Sequence, residues 1–112
     1  MIDLKVDEAY AFDYLSILQI KHEQFGNKEY IECYEYLVKQ LGIDLMHRIV
    51  TSPEYYSLLD ANKKVFWIIE EMRNNQYSID ARMVDKMNTD RYSAKKLLQR
   101  SFFGNEVREF KT

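Results

Sequence analysis

Two cations in the last third of the chain stand where a helical core calls for apolar side chains. The apolar line of that segment runs through Leu98 and Phe102, and counting back along it by threes and fours reaches Ala94, Lys95 and Arg91. Near the start, Asp13, Ile17 and Lys21 sit four apart on one face of an otherwise apolar stretch. Asn62 occupies the apolar stripe of a third segment, one turn before Phe66, with Glu70 lying to one side of that stripe. A charge buried without a partner is very costly, so these groups must meet one another, water or a ligand.

Two chemistries fit. The simpler is an internal network of ion pairs and amides that fixes the order and register of helices. The other is a polar pocket between helices. Lys21, Arg91 and Lys95 carry three positive charges against two on Asp13 and Glu70, and the surplus charge suits a phosphorylated or carboxylated small molecule. Arg91 would be the bidentate anchor, and in an enzyme Asp13 or Glu70 would be the base.

No other constellation competes. His22 and His47 have only the adjacent Glu23 and nearby Asp44 at ligand spacing, so no metal site is expected. Glu32, Glu35, Glu70, Glu71, Asp80 and Asp85 resemble only loosely the acids with which helical nucleotide pyrophosphohydrolases hold Mg²⁺, and their spacing departs from that pattern. Cys33 has no His or Asn set to make it a nucleophile, and no phosphate loop or cofactor motif is present. The favoured reading is a non-catalytic protein, with the anion-binding module or enzyme as its alternative.

The elements that must position these residues read as helices throughout. The most strongly patterned run, Asp60 to Asn75, places Val65, Phe66, Ile69 and Met72 on one stripe, with Trp67 and Ile68 widening it. With Asp60 as its cap, it is expected to be the centre of the bundle, covered on at least two sides. Met1 to Val6 is an extended lead-in, and Asp7 caps a nearly enclosed helix reaching Phe25. Asn27 caps a helix over Lys28 to Leu41, Ile43 to Val50 forms a short one, and Ser52-Pro53 starts a turn or two ending at Leu59. Asn74-Asn75-Gln76 is a loop, Ser78 caps a short helix from Ile79 to Met87, and Thr89 caps a last one from Asp90 to Phe103. Gly26, Gly42 and Gly104 fall where left-handed residues close helices, and residues 105–112 form a tail without periodicity. A compact all-α bundle of four to five principal helices in a single domain, 1–112, follows.

Composition narrows the partners. Sixteen Lys and Arg against eighteen Asp and Glu leave a net charge of -2, which argues against nucleic acid as a partner. A lone cysteine, with no leader-like or membrane-spanning run, makes a reducing cytoplasm the expected setting, away from membranes. Nine tyrosines, many at helical spacing, suit a partly wet interface. A protein partner or self-association, for instance a homodimer through the first two helices, is expected.

Four stretches resemble a group of small helical bacterial and phage proteins of unknown function. Phe12-Asp13-Tyr14-Leu15-Ser16-Ile17-Leu18-Gln19-Ile20-Lys21 is similar to that group's Asp-Lys-Leu/Ile-Thr-Ile-Leu-Glu-Ile-Lys opening. Asn62-Lys63-Lys64-Val65-Phe66-Trp67-Ile68-Ile69-Glu70 resembles its Asn-x-x-Leu-Trp-x-Ile-Glu, offset by a residue or so. The likeness is closest at Asn88-x-x-Arg91-x-x-x-Lys95-Lys96-x-x-Gln99, against Asn-x-x-Arg-x-x-x-Lys-Arg-x-x-Asn, and extends to Gly104-Asn105-Glu106-Val107-x-Glu109-x-Lys111. Residues 26–59 lie outside it, and Tyr14, Gln19 and Gln99 depart from its Lys, Glu and Asn. The resemblance implies an all-helical fold and groups Asp13, Lys21, Asn62, Glu70, Asn88, Arg91 and Lys95. It implies no known activity.

Overall fold

The computed structural model describes residues 8–75 and 81–104, with side chains placed for 8–71 and 82–104. The expected lead-in, the Asp7 cap, Gln76, the Ser78 cap with Ile79, and the tail beyond Gly104 lie outside the described residues. Five α-helices make up the rest: α1 (Glu8–Phe25), α2 (Glu29–Leu41), α3 (Ile43–Val50), α4 (Pro53–Asn75) and α5 (Ala81–Phe103). The compact all-α bundle is as the periodicity predicts. No described helix is long and apolar enough to cross a membrane.

The helix at the centre is α1 and not, as expected, the run from Asp60 to Asn75. Its buried residues, Ala9, Phe12, Asp13, Leu15, Ser16, Leu18 and Ile20, run round most of its circumference. It packs against α2, α4 and α5 together. One core joins Phe12 and Leu15 to Leu37, Met46, Ile49, Tyr55, Leu58 and Leu98. Phe12 sits edge-on to Tyr55, their centroids 6.4 Å apart, and 6.3 Å from Phe103.

Asp60 does not cap a helix. The true start of α4 is Ser52-Pro53, where the Ser52 hydroxyl accepts a 3.1 Å hydrogen bond from the Tyr55 N–H and Pro53 takes the first helical position. From there Tyr55, Leu58, Leu59 and Asn62 form one buried stripe straight through Asp60, so packing carries the helix past a residue that would otherwise stop it. Asp60 itself is exposed and pairs with Lys64 at 3.3 Å. Farther along, Val65 and Phe66 are half-buried, but Trp67 and Ile69 are 55% and 48% exposed, so this half of α4 lies at the edge of the bundle.

Two more caps differ from expectation. Thr89 lies exposed in mid-helix, because no glycine or proline interrupts the pattern and α5 runs on from Ala81. Ahead of α2, Lys28 and not Asn27 holds the cap position, without a side-chain bond; the Asn27 carbonyl instead accepts from His22 Nδ1 at 2.8 Å. The glycine punctuation is as expected. Gly42, at φ 89° and ψ 151°, joins α2 to α3 in a conformation that side chains with a Cβ rarely adopt, its N–H bonded to the Val38 carbonyl at 2.8 Å.

Candidate functional site

Antiparallel packing of α1 on α5 brings Asp13 against the two cations. Asp13 is buried, and both its oxygens are engaged. Arg91 Nη2 donates to Oδ2 at 2.8 Å, Asn62 Nδ2 donates to Oδ1 at 2.8 Å, and Lys95 Nζ stands 3.9 Å from Oδ2. Asn62 Nδ2 also donates to Ser16 Oγ at 2.7 Å, and the Ser16 hydroxyl donates to the Asp13 backbone carbonyl at 2.7 Å. Lys95 rests its ammonium 4.5 Å above the Tyr10 ring, a second favourable contact for its charge. Three helices are thereby tied through one carboxylate.

Of the seven residues grouped from the sequence, Asp13, Asn62, Arg91 and Lys95 converge. The other three do not join them. Lys21 is exposed, although it was expected to face inward with Asp13. Eight residues along a helix amount to two turns plus about 80°, so a line drawn by fours leaves its starting face. The same rotation separates Glu70, which is half-buried, from Asn62, and Glu70 is not among the groups bonded to Asp13. Asn88 is exposed on the outer half of α5. On α5 the drift runs the other way, from half-exposed Arg91 through Lys95 to a fully buried Gln99.

Gln99 is a functional part of the fold that reading by charge misses. Its Oε1 accepts from the Ala9 backbone N–H at 2.8 Å and its Nε2 donates to Glu8 Oε2 at 2.6 Å. It thus satisfies a first-turn amide of α1 that has no partner within that helix. The signal lay in its position, four residues beyond Lys95 on the same line. A further, partly buried contact ties α4 to α1, where the Tyr55 hydroxyl donates to Gln19 Oε1 at 2.7 Å.

What the cluster can do follows from its balance. Two cations and one carboxylate leave one surplus positive charge, the same surplus as in the larger grouping. Arg91 Nε is buried without a hydrogen-bond partner. Yet Asp13 already fills the role of the anion, so the arrangement is an ion-pair network closed on itself, in which Arg91 Nε is the one fully buried donor left unbonded among the described residues. Burial pushes the Cys33 thiol up from its ordinary pKa, which disfavours the nucleophilic thiolate. Among the described residues, no three His, Cys, Asp or Glu side chains come together as a metal site would need.

Among the described residues, two of the surface grooves lie apart from the network, lined by neither Arg91 nor Lys95. One lies along α2 and the start of α3, floored by Tyr34 and Val38 between Ile31 and Ile43, with Glu35 and Lys39 at its rim. The other, more polar, runs between α4 and α5 past Ser57, Lys64, Asp90 and Leu97. No family model, curated protein or solved structure matches the chain.

Proposed function

We propose that this chain is a small non-catalytic helical module that binds another polypeptide or assembles with its own kind. The observation that supports this is the apolar surface left outside the core. Ile31 and Ile43 on α2 and α3, and Phe25 and Trp67 near the far end of α4, are each between 45% and 65% exposed. Large aromatic and aliphatic groups gathered on two faces are what protein interfaces bury. Phe25, Phe66 and Trp67 form a chain of edge-on rings with centroids 6.3 and 6.5 Å apart, a rigid surface to pack against. The polar network serves this role by holding α1, α4 and α5 in one register. The resemblance to small bacterial and phage helical proteins, and a cytoplasmic setting suggested by the lone Cys33, belong to the same proposal.

A photo-crosslinking amino acid placed at Ile43 or at Trp67 in the producing cell tests it. Discrete adducts with a polypeptide are expected at these sites and not at a control position such as Asp60. Adducts no different from the control overturn the reading.

The alternative, a module for a phosphorylated or carboxylated small molecule, draws on the unpartnered Arg91 Nε and the surplus charge beside it. It requires the ligand to displace or share Asp13. Thermal-shift measurement with inorganic phosphate, nucleotides and sugar phosphates decides it: an anion must stabilise the wild-type chain more than an Arg91→Ala variant.

A further inference from the structure

The α2–α3 groove is lined in chain order by Ile31, Glu35 and Lys39, four apart on α2, and by Ile43, which opens α3 beyond the Gly42 break. Read backwards, the row becomes apolar, basic, acidic, apolar. It is therefore complementary to itself when two copies run antiparallel. A two-fold axis between Glu35 and Lys39 sets each against its counterpart of opposite charge in a second copy, and turns the Ile31 end of one groove toward the Ile43 end of the other. One register brings the apolar ends and the charged pairs together.

The two charges are also free to pair outward. Glu35 and Lys39 have the spacing and order that favour a pair within one helix, yet neither has an ion-pair or hydrogen-bond partner among the described residues. Asp60 and Lys64, at the same spacing on α4, do pair. Ile31 and Ile43 are 45% and 59% exposed, and Tyr34 and Val38 between them are half-buried, so the groove offers an apolar floor between two unpaired rim charges.

We infer that the partner of this groove is a second copy of the chain, docked antiparallel so that Glu35 and Lys39 form reciprocal ion pairs while Ile31 and Ile43 close over the floor. The inference deepens the interaction reading and rests on it, but it makes a narrower demand. Charge reversal reads it directly. Either Glu35→Lys or Lys39→Glu alone sets two pairs of like charges across the axis. An equimolar mixture of the two single variants restores opposite charges in both pairs, as does the double exchange within one chain.

Sedimentation equilibrium on the full-length chain, with circular dichroism to confirm that each variant keeps its helices, is the test. The wild type is expected to dimerise. Each single reversal should weaken the dimer by about tenfold or more, and both the mixture and the double exchange should recover it. A wild type that stays monomeric up to near-millimolar concentration overturns the inference. So does a dimer indifferent to the reversals, or one that the mixture fails to restore. If polypeptide adducts form at Ile43 or Trp67 in any of these cases, the interaction reading stands and only the self-pairing is lost.

Discussion

Asp13 is the residue on which the polar contacts converge, and its replacement is the most informative single change. Removing the carboxylate leaves Arg91 and Lys95 partly buried and mutually repelling, so Asp13→Ala is expected to lower the unfolding free energy by about 3–5 kcal/mol in urea titration. Arg91→Met should cost clearly less, because Asp13 keeps its bond to Asn62 and its pairing with Lys95. Tyr55 makes a second prediction at this scale. Burial foremost, with nearby Tyr30 adding to it, raises its hydroxyl pKa well above the ordinary value of 10.0. The folded chain therefore holds this proton where the unfolded chain releases it. Stability is fully present below pH 10 and falls above it, by up to about 1.4 kcal/mol per pH unit for this group. Tyr55→Phe should flatten that alkaline decline, although Tyr30, shifted the same way by burial, keeps a part of it. Chemical denaturation at a series of pH values between neutrality and strong alkali measures the slope.

At the scale of the element, the helix boundaries make contrasting predictions. Ser52 caps α4 and Asp60 does not, so Ser52→Ala should destabilise by about 1 kcal/mol, while Asp60→Ala should stay within about 0.5 kcal/mol of neutral. Equal losses at both positions would contradict a continuous α4. Gly42 has open space where a Cβ would go, so Gly42→Ala isolates the backbone cost of its positive φ, about 1–3 kcal/mol by thermal unfolding. The glycines and Ser52-Pro53 could be read from sequence because their roles depend on neighbours within a few residues. Asp60, Thr89 and Asn27 misled for the complementary reason. Each can cap a helix in isolation, but whether it does depends on what packs across it.

Across the whole molecule, α1 is the hub, and Phe12 is where the consequence is sharpest. Its ring touches both Tyr55 of α4 and Phe103 at the end of α5, so it joins elements distant in the chain. Phe12→Ala should cost about 3–5 kcal/mol, a large share of the roughly 5–15 kcal/mol typical of a domain, and should appear as one cooperative transition at lower temperature in calorimetry. Separate melting of α4 and α5 would show that the hub is not shared. The weak amphipathicity of α1 was already a sign of enclosure, but the more strongly patterned run after Asp60 was the more conspicuous candidate for the centre. Which of two helices lies inside depends on which is covered on every side, and Trp67 and Ile69 are about half exposed.

Sequence by itself determined the all-helical class, the glycine stops and the start at Ser52-Pro53, and it marked Asp13, Asn62, Arg91 and Lys95 as polar residues on inward stripes. These follow from short-range periodicity and from the cost of a lone buried charge. Only the tertiary structure decided that α4 and α5 are long and continuous, that Lys21 and Asn88 face outward, and that Gln99 closes the start of α1. Helical rotation accumulates with distance along the chain, and small errors of angle become a change of face within two turns. Contacts between helices then choose which face is inside.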